Sequence, residues 1–150
     1  MIVAFILCTI LNLEADFRQV KEARMLQEPQ VSTGHVSYSA PDRMCWEYRS
    51  PDPYKWELGS QSTAPQVQQL LRFIVNTIAG DYLHDSAEFS VKQEGNVYLL
   101  TPKKRELKQL FQSVRITMHE TMNVAEYVVL TEKNGDQSTI TFHNVEIQEE

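Results

Sequence analysis

The pattern of apolar and polar positions along this chain first follows a period of two. In "WEYRSPDPYKWEL", residues 46–58, apolar side chains take even positions and charged ones odd positions on either side of a Ser-Pro-Asp-Pro connection. Alternate residues of a strand share a face. This stretch predicts two short strands, because Pro51 and Pro53 exclude one continuous central strand. The aromatic face is either the floor of an ordinary core or the lining of a cavity that holds an apolar ligand.

The period changes to that of a helix in "APQVQQLLRFIVNTIAG", residues 64–80. Its apolar residues recur at spacings of three and four, which predicts an amphipathic helix. Ser62-Thr63 can cap its start, and Gly80 suits its end. So broad an apolar face has to be covered by another part of the protein.

Alternation also marks the remaining strands. We predict them at residues 34–40, 89–93, 97–102, 111–118, 124–131 and 138–147, with a short helix or turn from residue 104. Asn134-Gly135 is a strong hairpin signal. In the last strand the apolar positions change parity between Phe142 and Val145, which predicts a β-bulge near His143-Asn144.

These elements predict one domain over residues 1–150 of mainly β (α+β) class. A chain of 150 residues is long enough to bury a sizeable core. We expect a curved, largely antiparallel sheet wrapped around helices, one in the middle of the sequence and one at the N-terminus.

The N-terminal segment is open to two interpretations. Residues 1–11, "MIVAFILCTIL", form an apolar run that is shorter than the roughly 20 residues needed to span a bilayer. Residues 1–12 are either the core of a signal peptide or a helix buried against the sheet; no Lys or Arg precedes them, as a secretory signal normally requires. Cys8 and Cys45 form no C-x-x-C motif. They either pair as a disulfide or remain buried free thiols.

The charge and the motifs argue against several functions. The net charge of −6 argues against a nucleic-acid partner, which needs clustered Lys and Arg. The short run Lys103-Lys104-Arg105 indicates a solvated loop or helix start. His119-Glu120 lacks the second His of a metal motif, and no nucleophile, P-loop or dinucleotide motif is present. The sequence therefore indicates neither an enzyme nor a metal or cofactor site.

An ordered set of motifs resembles the LolA-type outer-membrane lipoprotein carrier proteins. "ADFRQ" at 15–19 and "VSTGHVSYSAPDRMCWEYRSP" at 31–51 are similar to the opening of that family. "FSVKQEGNVYLLTPKKRELKQLF" at 89–111 resembles its strand pair ending in L-T-P. "VVLTEKNGDQSTITFHNVE" at 128–146 resembles its closing hairpin. The residues in these motifs are most similar to those of carriers from the Bacteroidetes.

The resemblance implies a fold and a function. It implies an incomplete antiparallel β-barrel with helices as a lid, and an apolar cavity that receives the acyl chains of lipoproteins. Such a monomeric carrier works in the periplasm. It takes acylated lipoproteins from an inner-membrane lipoprotein-releasing transporter and passes them to an outer-membrane acceptor, without covalent chemistry or a cofactor.

Strand parity and helix spacing give the residues expected to line that cavity. They are Val36, Tyr38, Met44, Trp46, Tyr48, Trp56, Leu70, Leu71, Ile74, Ile78, Val114, Ile116 and Met118. A register error of one residue would exchange strand residues for their neighbours on the other face.

Two departures from the family pattern bear on the lid and the barrel wall. Ala40 stands where better-studied carriers have an Arg that helps to hold the lid shut. Leu58-Gly59 runs almost directly into the predicted helix, where the family has a further hairpin, so part of the wall is expected to be missing. Two alternatives therefore remain, a binding module for another lipid or amphiphile and a non-carrier interaction or sensor domain.

Overall fold

One antiparallel sheet of nine strands dominates the computed structural model, which describes residues 10–40, 43–59, 87–121 and 124–149. In chain order the strands are β1 (Ile10–Glu22), β2 (Gln30–Ser39), β3 (Arg43–Ser50), β4 (Tyr54–Glu57), β5 (Phe89–Glu94), β6 (Val97–Pro102), β7 (Phe111–Met118), β8 (Ala125–Glu132) and β9 (Gln137–Glu149). Their order in the sheet is β4-β3-β2-β1-β9-β8-β7-β6-β5. The mainly β prediction is confirmed.

The sheet is curved but not closed. Within the described residues β4 and β5 are the two outer strands and do not pair with each other. The helix found in the same residues is one short segment, α1 (Arg105–Lys108), which agrees with the short helix predicted there. The described residues thus give no support for a helical lid, and the helix predicted at 64–80 lies outside them.

The centre of the sheet is the pairing of β1 with β9, which runs from Ile10↔Glu149 to Glu22↔Gln137. It joins a series of hairpins in the first part of the chain to another in the second part. The expectation of an N-terminal helix reaching residue 12 is wrong for residues 10–12, which begin β1. Leu13, Ala15 and Phe17 are buried while the residues between them are not, and this period of two is that of a strand. Residues 1–9 lie outside the described part.

The predicted hairpin and bulge are both confirmed. Gly135 has a φ of +94°, and its N–H donates to the Glu132 carbonyl at 3.0 Å. In β9 the register against β1 shifts between Glu14 and Asp16, and Asn144 has a φ of +52°. The extra residue returns the apolar residues that follow it to the same face as Phe142.

Cys45 is a free thiol in the structure. It is half-buried on the charged side of β3, where burial raises the pKa of the thiol. Cys8 lies outside the described residues. No helix in the described part of the chain is long and apolar enough to cross a bilayer.

Candidate functional site

A single apolar face extends across all nine strands, and we call it the apolar face. Cross-strand pairs put Ala15, Val36, Trp46 and Trp56 in one row. Two clusters of buried side chains lie on this face, and Leu130 and Phe142 pack against both. The opposite face is polar, since the residues between the buried ones on β1–β4 are mostly charged or hydroxylated.

The described cavity-lining candidates all lie in these clusters. Six are buried, with at most 5% of their surface exposed: Val36, Tyr38, Met44, Trp46, Val114 and Ile116. Three are partly buried: Tyr48, Trp56 and Met118. The remaining four, Leu70, Leu71, Ile74 and Ile78, lie outside the described residues.

Aromatic rings form the densest part of the apolar face, which we call the aromatic cluster: Phe17, Trp46, Tyr48, Trp56 and Phe142. Phe17 stacks on Trp46 with ring centroids 4.1 Å apart. Tyr48 packs edge-on against Phe17 and Trp56, at 5.4 Å in each case. Such pairs add stabilisation beyond the area they bury. Phe17 was missed by the sequence analysis, although the alternation of Leu13, Ala15 and Phe17 was the available signal.

Gly34 makes the Phe17–Trp46 stack possible. It lies on β2 between the strands that carry the two rings, opposite Phe17. A Cβ atom there would lie 2.6 Å from Phe17 Cζ and would also collide with the backbone carbonyl of Glu47. The missing side chain lets the Phe17 ring lie over the β2 backbone.

Two polar groups lie within the aromatic cluster. The Tyr48 hydroxyl donates to Gln19 Oε1 at 2.8 Å, and burial raises the pKa of Tyr48. The buried Trp46 Nε1 has no hydrogen-bond partner of acceptable geometry among the described residues. It nevertheless lies near enough to the Tyr48 hydroxyl to oppose part of that rise in pKa.

The described part of the apolar face is closely packed where β1, β9 and the start of β8 lie side by side. A void of about 20 Å³ lies there, lined by Leu13, Ala15, Val124, Ala125, Phe142 and Val145. Binding pockets for small molecules usually measure about 300–1,000 Å³. A ligand entering this part of the apolar face would therefore require side chains to move.

A much larger cleft lies at one end of the sheet, and we call it the end cleft. Its volume is about 800 Å³. The strands that form it are the five neighbours β4, β3, β2, β1 and β9. Its lining is Asn12, Leu13, Glu14, Ser37, Tyr38, Ser39, Arg43, Met44, Cys45, Glu57, Leu58, Glu146, Ile147 and Gln148. Tyr38 and Met44 are among these lining residues, but both are buried in the core of the apolar face, so the accessible lining comes mainly from their polar neighbours on the strands.

The end cleft combines apolar and polar groups. Among its apolar lining residues, Leu58 and Ile147 are half-buried, whereas Leu13, Tyr38 and Met44 are buried. On the polar side, Asn12 accepts a hydrogen bond from Ser39 Oγ at 2.5 Å and donates one to Gln148 Oε1 at 3.0 Å. This combination suits an amphiphilic ligand better than a purely polar one.

Asp16 organises the centre of the polar face. Its carboxylate accepts a hydrogen bond from Asn144 Nδ2 at 3.0 Å and lies 2.9 Å from His35 Nδ1. The Asn144 hydrogen bond, then the one with His35, holds the pKa of Asp16 below its ordinary value. No group of three or more His, Cys, Asp or Glu side chains in the described residues is placed to hold a metal ion.

The sequence comparison bears on the family. The family model described as "Outer membrane lipoprotein carrier protein LolA" matches residues 57–150, which is more than half of the chain. The chain belongs to the LolA family. The resemblance inferred from the motifs is thereby confirmed, and the match includes the L-T-P strand pair and the closing hairpin. Curated protein sequences contain no match to this chain.

The chain is also similar to two solved structures that are described as a LolA superfamily protein and as a lipoprotein-sorting domain. A LolA superfamily protein from Nitrosomonas europaea is 11% identical, with 91% of this chain and 86% of that chain covered and a TM-score of 0.43. A putative outer membrane lipoprotein-sorting protein domain from Vibrio parahaemolyticus is 8% identical, with 91% and 85% covered and a TM-score of 0.39.

A third similar structure belongs to a complex. The MucA/MucB complex of Pseudomonas aeruginosa contains a chain that is 11% identical, with a TM-score of 0.49. The alignment covers 91% of this chain but 51% of that one, so the present chain spans about half the length of that neighbour. The family assignment depends on the sequence match alone.

Proposed function

We propose that this protein is a periplasmic carrier that binds the acyl chains of lipoproteins and moves them from the inner to the outer membrane. The observation that carries the proposal is the end cleft, a space of ligand size in which the partly exposed Leu58 and Ile147 lie beside polar side chains. Membership of the LolA family supports the same function. The partners are acylated lipoproteins, an inner-membrane lipoprotein-releasing transporter and an outer-membrane acceptor.

The physical basis is transfer of hydrocarbon out of water. Each buried CH₂ group contributes about 0.8 kcal/mol, so a free acyl chain in the periplasm carries a large free-energy penalty. A volume of about 800 Å³ falls in the usual range for ligand pockets. Binding and release need no bond to be made or broken, so the proposal is for a carrier and not an enzyme.

Deeper entry of the acyl chains between β1, β9 and the start of β8 requires side chains to move, because the void there is small. We propose that the helix predicted at 64–80 covers this face as a lid, with Leu70, Leu71, Ile74 and Ile78 directed towards it. If only a fraction of the molecules is open, the apparent affinity for acyl chains is the affinity of the open form multiplied by that fraction. Lid opening would then set how readily cargo is released.

A substitution at the edge of the end cleft tests the proposal. Leu58 is half-buried and lines the cleft, so Leu58→Trp would fill space without burying a charge. Leu110 is also half-buried but lies outside the cleft, and Leu110→Trp is the matched control. We expect a purified triacylated lipoprotein to remain bound in native mass spectrometry to the wild type and the control. Leu58→Trp should bind it at least about tenfold more weakly, a loss of roughly 1.4 kcal/mol.

Other outcomes would favour other functions. Retention of free phospholipids without any lipoprotein adduct would indicate a binding module for another lipid. No adduct with either class of ligand would contradict the carrier and favour an interaction or sensor domain. Equal binding by Leu58→Trp and the wild type would remove the end cleft from the proposal.

A further inference from the structure

Exposed apolar side chains are concentrated at the end of the sheet opposite the end cleft. Among the described residues five large apolar side chains are exposed, and four of them lie at this end: Met25, Leu26, Val31 and Tyr54. Met25 is 96% exposed. Met25 and Leu26 occupy the turn between β1 and β2, which we call the tip loop, residues 23–29.

Basic side chains lie at the same end. The β6–β7 connection, residues 103–110, leaves the sheet on the side of the tip loop, because successive antiparallel strands alternate in direction. It carries four exposed basic residues, Lys103, Lys104, Arg105 and Lys108, against one acidic residue, Glu106. Lys104 pairs with Glu88 at 3.2 Å. The excess of positive charge belongs to this connection, since the tip loop carries one basic and one acidic residue, Arg24 and Glu28.

The turn between β8 and β9 lies between these two segments. Lys21 Nζ, just before the tip loop, is 3.5 Å from Glu132 Oε1 at the end of β8. Gln112 Nε2, at the start of β7, donates to the Lys133 carbonyl at 2.9 Å. These contacts connect the tip loop and the basic connection through the neighbouring strands at the same end of the sheet.

We propose that this end of the protein contacts an anionic lipid surface, with Met25 and Leu26 of the tip loop entering the bilayer interface and the basic residues of the β6–β7 connection facing the headgroups. Exposed apolar patches mark protein or membrane contacts, and basic residues beside apolar ones favour an anionic membrane. A projecting turn with two flexible side chains and no groove fits a fluid surface better than a shaped protein partner. The inference goes beyond the proposed carrier function and does not depend on it.

The contact leaves the end cleft free. The cleft lies at the other end of β1, a 13-residue strand, and strands rise about 3.3 Å per residue. A protein held by the tip loop therefore keeps the cleft away from the bilayer. Cargo or a partner can then reach the cleft from the solvent.

Vesicle flotation of the full chain tests this contact. One set of vesicles contains phosphatidylethanolamine and phosphatidylglycerol, and the other contains phosphatidylcholine alone. We expect the wild type to bind the anionic vesicles, and the variant Met25→Asp/Leu26→Asp to bind them at least about tenfold less, because the apolar insertion is lost. Gln27→Asp, which adds a charge in the same loop without removing an apolar side chain, should stay within a few-fold of the wild type.

The basic connection has its own variant. Arg105→Gln/Lys108→Gln should weaken binding to the anionic vesicles by about fivefold or more, and added salt should remove the difference. The proposal is overturned if the wild type binds neither vesicle, or if Met25→Asp/Leu26→Asp floats like the wild type. An equal loss in Gln27→Asp would also overturn it, because binding would then be purely electrostatic.

Two measurements separate this inference from the carrier function. Leu58→Trp should float like the wild type, and Met25→Asp/Leu26→Asp should still bind lipoprotein in solution. Flotation lost in Leu58→Trp would mean that lipid uptake by the end cleft, and not the tip loop, attaches the protein to vesicles.

Discussion

Gly34 lies under the ring of Phe17, and this contact decides what the residue can be. The ring and the Glu47 carbonyl both occupy the space of a Cβ atom. The carbonyl belongs to the β2–β3 ladder, so it cannot move without disturbing the sheet. At this position the absence of a side chain is a packing requirement.

Gly34→Ala should therefore destabilise the fold. We expect a loss of about 3 kcal/mol in the free energy of unfolding, near the upper end of the usual cost of overpacking. Urea denaturation followed by tryptophan fluorescence measures it, because Trp46 lies in the affected stack. Thr33→Ala, the neighbouring residue on the polar face, is the control and should cost much less. An unfolding free energy for Gly34→Ala equal to that of the control would contradict the packing argument.

The bulge in β9 keeps the apolar residues of this strand on one face of the sheet. Without it, Val145 and Ile147 would point to the polar face, because side chains alternate strictly along a strand. Asn144 adopts the left-handed backbone conformation at the bulge, and its amide donates to Asp16 on β1. The bulge thus joins the backbone of β9 to the polar network of the opposite face.

Substitutions at Asn144 can separate the backbone requirement from the hydrogen bond. Asn144→Gly keeps the left-handed conformation without strain but loses the amide. Asn144→Val loses the amide and also forces a β-branched residue into that conformation, at a further cost of about 1–2 kcal/mol. The difference in unfolding free energy between the two variants measures the backbone requirement. Equal stability would mean that the bulge relaxes when Asn144 is replaced.

Sequence periodicity predicted the hairpins well and the central strand poorly. The strands of the second part of the chain, the Asn134-Gly135 turn and the bulge each have a local signal, either alternation or a specific turn residue. β1 lacks such clarity because Ala15 is small, and because the preceding run at 1–9 is apolar at nearly every position. Its pairing with β9 joins residues more than 100 positions apart, which no local pattern specifies.

At the scale of the whole molecule, the composition of the apolar face could be predicted but not the place where it opens. The alternation of odd and even positions assigned the described candidates to one face, because side chains of residues paired across neighbouring strands point to the same face of the sheet. The end cleft gathers the ends of five strands, and where strands end depends on register across the whole sheet. For that reason the end cleft, with Leu58 and Ile147, was not predicted, although parity correctly placed Tyr38 and Met44 on the apolar face.

Both tryptophans lie on the apolar face, which makes the location of a bound acyl chain measurable. Trp46 and Trp56 are opposite each other on β3 and β4, beside the part of the face that leads to Met44 and Leu58. A brominated acyl chain should quench their emission when it binds, and an unbrominated chain of the same length is the control. Trp46→Phe should retain the quenching of Trp56, the less buried ring. Binding of the brominated chain with unchanged emission would place the ligand on the polar side of the end cleft and would contradict entry along the apolar face.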